Sequence, residues 1–171
     1  VFTDIAGATL ETYAPGALVA DTWYKRVVTS TLNAVLCVVE TNVIKITVNN
    51  FDPGSIATDQ TICEGTAPAQ FTSVTPTGDG VITYKWYNST DGAIFALIGG
   101  AVSETYSAPN LIADTWYKRE VTSTLSGNVC VEETNIIKVT VNNFDPGSIS
   151  ADQSICDGDI PAAFTSVTPT G

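Results

Sequence analysis

Histidine is absent from all 171 residues, and so is methionine. Without histidine the chain lacks the commonest general base, the commonest metal ligand and every Ser-His or Cys-His nucleophile pairing, which removes most hydrolase chemistry. Basic residues are scarce, 7 against 18 acidic ones, for a net charge of −11. A field of that sign repels nucleic acid and anionic membrane surfaces, so neither is an expected partner. The carboxylates are scattered rather than massed, as solubility of a surface-rich protein requires. No apolar run approaches the roughly 18 residues of a membrane span, and direct membrane insertion is not expected. Val1-Phe2-Thr3-Asp4 has neither the basic start nor the apolar core of a signal peptide, so the chain reads as starting inside a longer protein. Capped stretches of helical period are missing as well.

What is present is a repeat. Asp21-Thr22-Trp23-Tyr24-Lys25-Arg26 returns as Asp114-Thr115-Trp116-Tyr117-Lys118-Arg119, and Thr47 to Ile56 returns unchanged as Thr140 to Ile149, both offset by 93. At that offset 78 residue pairs overlay without a gap and 52 are identical. The mismatches gather at Ala14 to Ala17 and Asn33 to Leu36 and at their counterparts, where turns are expected.

A unit of 93 residues matches one immunoglobulin-like sandwich, for which about 100 residues and about seven short strands are usual. Val81 to Tyr87 alternates, with Ile82, Tyr84 and Trp86 on one face and Thr83, Lys85 and Tyr87 on the other. Ile137, Val139 and Val141 share a face in the same way, as do Ile44, Ile46 and Val48 in the first unit. Phe71 to Thr75, Ile94 to Ile98, Glu104 to Ser107 and Thr115 to Ser123 are further β-rich runs, separated by turn-forming clusters. The expected fold is therefore all-β, in tandem immunoglobulin-like β-sandwich repeats. Asn49 to Gly54 and Asn142 to Gly147 read as linkers, because proline cannot donate to a sheet interior. Those linkers divide the chain into the back part of one repeat (1–50), a whole repeat (51–143) and the front part of the next (144–171).

Cys37, Cys63, Cys130 and Cys156 occupy two positions of the repeat. No CxxC spacing is present and zinc would lack histidine partners, so structural disulfides are expected. One arrangement joins Cys63 to Cys130 and leaves Cys37 and Cys156 to partners outside residues 1–171. A junctional alternative joins Cys37 to Cys63 and Cys130 to Cys156; spacing alone does not choose between them. Trp86 sits where an immunoglobulin-type core holds its tryptophan. Trp116, Tyr117 and Tyr87 are either core residues or, if exposed and coplanar, an aromatic platform for sugar. Asn50 and Asp52, with Asn142, Asn143 and Asp145, stand at the junctions, where calcium could take oxygen ligands, although turn formation explains the same residues and the spacing matches no EF-hand. No other metal or cofactor site is indicated, and no catalytic residue.

Four segments together carry a family resemblance: Thr61 to Gly65 (TICEG), Ile82 to Gly92 (ITYKWYNSTDG), Thr105 to Arg119 (TYSAPNLIADTWYKR) and Cys130 to Asn142 (CVEETNIIKVTVN). They resemble the tandem immunoglobulin-like repeats of giant cell-surface adhesins of gliding Bacteroidetes, the SprB-type gliding-motility adhesins. The resemblance covers essentially the whole chain, and related repeats also serve as linkers in large secreted polysaccharide-degrading enzymes. It implies export by the type IX secretion route, an extracellular place at the cell surface with attachment through other parts of the parent protein, and oxidised cysteines. The implied role is a repetitive stalk or filament segment serving surface attachment and gliding. Its partners would be neighbouring repeats, an external surface or polysaccharide, and further chains in a fibre. The alternative is a carbohydrate-binding module or an enzyme's spacer domain.

Overall fold

The computed structural model describes residues 1–171 and contains strands, turns and no helix. The first unit holds β1 (Thr22–Tyr24), β2 (Val27–Leu32), β3 (Val35–Glu40) and β4 (Ile44–Ile46). The middle unit opens with β5 (Phe51–Asp52), β6 (Ser55–Ile56), β7 (Gln60–Cys63), β8 (Ser73–Val74) and β9 (Thr77–Gly78). It continues with β10 (Val81–Ser89), β11 (Ala96–Leu97), β12 (Thr115–Leu125), β13 (Asn128–Glu133) and β14 (Ile137–Asn142). β15 (Ser148–Ile149) and β16 (Ser166–Val167) belong to the third unit.

The middle unit is an all-β sandwich. Its main sheet has six strands in the order β11-β10-β12-β14-β7, with β13 also on β12. β12 is long enough to carry two neighbours on one edge: residues 115–117 face β14 and residues 120–125 face β13. The shift between them falls at Thr134 and Asn135. Asn135 leaves the ladder and turns its amide onto Ile56, accepting from the Ile56 N–H at 2.9 Å and donating to its carbonyl at 3.2 Å. The parallel pairing of β7 with β14 closes the edge, and the pairs β5-β9 and β6-β8 build the opposing layer.

The alternation read from the sequence holds. Trp86, Ile137 and Val139 are at most 1% exposed and Val141 is buried, Ile82 and Tyr84 are half-buried, and Lys85 faces solvent. The centre is an aromatic cluster in which Phe71 lies 4.8 Å from Tyr117 and 6.0 Å from Trp86, ring centre to ring centre, and Tyr106 stacks on Trp86 at 5.5 Å. Pairs at these separations add about 0.5–1.5 kcal/mol each beyond the area they bury. The Trp86 indole N–H donates to the Ser103 carbonyl at 2.8 Å, so the largest core side chain leaves no polar atom unpaired. In the first unit Ile46 and Val48 are half-buried, but Ile44 is exposed, because β1 to β4 have no second layer over them. Several expected strands shrink to fragments: Phe71 to Thr75 becomes a bridge at Phe71 plus β8, and Glu104 to Ser107 only a bridge at Tyr106.

Candidate functional site: the junction between repeats

The repeated hexapeptide explains how each unit is braced. Asp114 accepts from the Val141 N–H at 2.8 Å and pairs with Lys138 at 2.6 Å. Lys138 lies 4.9 Å from the centre of the Trp116 ring, and Lys118 pairs with Glu133 at 2.6 Å. In the first unit Asp21 accepts from Val48 at 2.8 Å and pairs with Lys45, Lys45 lies 5.1 Å from the Trp23 ring, and Lys25 pairs with Glu40. The Lys partner and the backbone N–H hold the Asp21 and Asp114 carboxyls below their ordinary pKa. With Lys85 on Glu120, every lysine of the chain is in an ion pair. The remaining carboxylates set an acidic field with no unpaired lysine to meet an anion.

Arg119, the last residue of the motif, is wholly buried. Its guanidinium donates to the Ser73 hydroxyl at 2.7 Å, the Glu104 carbonyl at 2.6 Å and the Pro53 carbonyl at 3.1 Å, while Nε has no partner. Burial lowers its pKa, opposed by the charges of Tyr84 and Glu104. The Pro53 bond ties the linker into the middle unit. Period-two alternation puts Arg119 between Tyr117 and Val121 on the inward face, a signal present in the sequence and easily passed over because the residue is charged.

The linker is thus built into the unit it precedes. Phe51 and Asp52 pair with Gly78 and Thr77, Asp52 accepts from the Gly54 N–H at 2.8 Å, and Gly54 adopts φ 65° in a space where a Cβ would meet the Val74 carbonyl. Just upstream, Asn49 donates to the Ser123 carbonyl at 3.1 Å and accepts from the Ser123 hydroxyl at 3.0 Å, while Asn50 and Asp79 exchange backbone and side-chain bonds. Gly78 and Gly80 keep this seat open: a Cβ on Gly80 would approach the Ser123 hydroxyl to 2.6 Å. The second junction repeats the local pattern, with Asp145 bridged to Thr170, Gly147 donating to Asp145 and β15 on β16. These contacts, and especially the Asn49–Ser123 pair, have no signature in local sequence patterns.

The two ends of the middle unit are far apart. The preceding unit arrives at Ser123, near the end of β12, whereas β14 leaves past Thr115, at its beginning. The junction contacts therefore link units end to end.

No two of the four cysteines are bonded to each other, which goes against the Cys63–Cys130 pairing and the junctional alternative and leaves open the partners of Cys37 and Cys156 outside residues 1–171. Cys63 faces Asn142, three residues beyond the Val139 that faces Thr115, while Cys130 faces Ser123, eight residues from Thr115 in the opposite direction. Eleven positions along a sheet span on the order of 35 Å, against the roughly 4.4–6.8 Å between Cα atoms that a disulfide tolerates. Cys37, opposite Ser30, occupies in its unit the place Cys130 occupies in the next. Joining it to Cys63, or Cys130 to Cys156, would have to span successive units from end to end.

Of the three aromatics of the expected platform, Tyr117 is taken out by burial. Tyr117 is 1% exposed, and burial pushes its phenol up to about 12. Trp116 and Tyr87 do share the outer face of the main sheet, half-buried, but the Tyr87 hydroxyl donates to Glu120 at 3.0 Å and Trp116 packs beside Gly92 and Lys138. For calcium, no group of three carboxylate or thiol side chains comes together. Asp52 and Asp145 instead cap the turns at Gly54 and Gly147.

Comparison with protein families divides the chain at the first linker. The chain belongs to the family described as a domain of unknown function (DUF8696). Residues 1–50 and 52–143 match it separately. The DUF8696 segments abut at Phe51, the residue paired with Gly78. No curated protein and no solved structure matches the chain.

Proposed function

We propose that this chain is a non-catalytic spacer, a segment of a repetitive extracellular stalk or filament of a bacterial cell-surface adhesin serving attachment and gliding. The observation that supports it best is the seating of Asn49 on Ser123, at the end of the sandwich opposite to the one β14 leaves, with the linker then held by Gly78 and, further along the sandwich, by Arg119. A junction with hydrogen bonds on both sides of the linker resists bending. Each unit keeps its own core, so length accumulates without a larger one. The resemblance of the four quoted segments to surface adhesins supports the extracellular location and the link to motility. The acidic surface with all lysines paired suits a stalk that must not stick to anionic polymers along its length.

Small-angle scattering tests the mechanical part. One 93-residue period should lengthen the particle by about the length of β12 plus the junction, on the order of 40 Å at roughly 3.3 Å per residue. A maximum dimension that hardly grows when a period is added would overturn the reading. Binding to a polysaccharide that is lost in Trp116→Ala, with the fold intact, would replace it with a carbohydrate-binding module.

A further inference from the structure

The free thiols and the end-to-end junction point to one arrangement. Cys63 lies at the downstream end of its unit beside Asn142, its register partner across the parallel β7-β14 pair. Asn49 is the residue that stands 93 positions before Asn142, and its side chain is bonded to Ser123 of the following unit. Ser123 in turn is the register partner of Cys130. Directly opposed residues of a sheet lie about 5 Å apart and project to the same side. A cysteine at the Cys63 position therefore sits one strand from the Asn that crosses the junction, and Cys130 sits one strand from the Ser that receives it. Cys63 is exposed, and Cys130 is half-buried where the preceding unit arrives.

We infer that the two cysteine positions form a disulfide across each junction, from the Cys63 position of one repeat to the Cys130 position of the next. This rests on the end-to-end reading above. It accounts for the absence of any bond among Cys37, Cys63, Cys130 and Cys156: none is the junctional partner of another. The two thiols lose two protons and two electrons to the disulfide of an oxidant, such as an oxidised dithiol oxidoreductase or glutathione disulfide. The oxidant's disulfide leaves as two thiols. The product staples each sandwich to the next at the one place where tension along the array would otherwise be carried by the linker and a few hydrogen bonds.

The test lengthens the full chain by one period, by following Gly171 with a second pass through residues 79–171, which continues the repeat without a break. The lengthened chain gains second copies of Cys130 and Cys156. After oxidation with glutathione disulfide, peptide mapping under non-reducing conditions should find Cys63 joined to the second Cys130. Two titratable thiols should be lost, and the original chain, treated alike, should lose none. Cys63→Ala in the lengthened chain should return the second Cys130 to the free pool. A Cys63 bond to the first Cys130, a Cys37–Cys63 or Cys130–Cys156 bond, bonds only between molecules, or no bond would each overturn the inference. Scattering on the same sample separates the two readings: an extended particle with no crosslink sinks the staple alone, and a compact particle sinks the stalk.

Discussion

The middle unit and its flanks carry nearly the same sequence and differ in what covers it. All 17 buried residues lie between Ile56 and Val141. None of their counterparts outside that span is buried: Phe71 is 0% accessible and Phe164 is 68%. Yet the local devices survive in the flanks. Gln153 exchanges two hydrogen bonds with Ala162 as Gln60 does with Ala69, and Asp21 grips Lys45 and Val48 as Asp114 grips Lys138 and Val141. Turns, caps and ion pairs are written into short stretches and form wherever the stretch occurs. A core forms only where both layers are present, because burial needs partners distant in sequence.

Matched substitutions at the 93-residue offset sharpen this contrast. Phe71→Ala should destabilise the middle unit by about 3–5 kcal/mol, since it empties the centre of the aromatic cluster, whereas Phe164→Ala should leave thermal unfolding unchanged. Equal effects on the melting transition would mean that the third unit finds cover of its own. Arg119→Ala, which leaves three acceptors without their donor, should cost about 2–3 kcal/mol in urea unfolding. Arg26, with one bond to the Glu11 carbonyl, should cost far less. Hydrogen exchange should follow the same order: slowest in β10, β12 and β14, fastest in β2, β3, β15 and β16.

The junction should respond more weakly. Asn49→Ala removes both bonds to Ser123 and should lower stability by about 0.5–1.5 kcal/mol, with faster exchange at Asn50 and Phe51 and broader scattering profiles. No change in shape would show that β5 and Arg119 alone align the units. The smallest effect is on the pair Asp21 and Asp114. Both carboxyls are held below their ordinary value, so the stability they contribute is present above the unfolded pKa and is lost as pH falls through the folded one. Carboxyl titration by NMR should find the two midpoints alike despite the different burial of their units. Asp91, held at about 2 by the Ile94 and Ala93 N–H groups and by Ser89, should keep its turn closed to lower pH than either. A midpoint for Asp91 near that of an ordinary aspartate would remove the turn from the ordered part of the unit.

Much of this was written in the chain directly. The offset of 93 gave the unit, alternation placed Trp86, Ile137, Val139 and Val141 inside, and the same alternation already held Arg119 on the inward face. These features depend on neighbours two residues apart, and side-chain direction along a strand repeats every two residues whatever the strand pairs with. The level of a residue along the sheet has no such local cause. Cys63 and Cys130 belong to one repeat and look like a pair, yet the parallel register of β7 on β14 and the antiparallel register of β13 on β12 send them to opposite ends. Asn49 reads as a linker residue until the fold of the following unit brings Ser123 to it. Faces were settled by the sequence; ends and junctions were settled by strand pairing, because register is fixed only when segments far apart in the chain bury their apolar faces together.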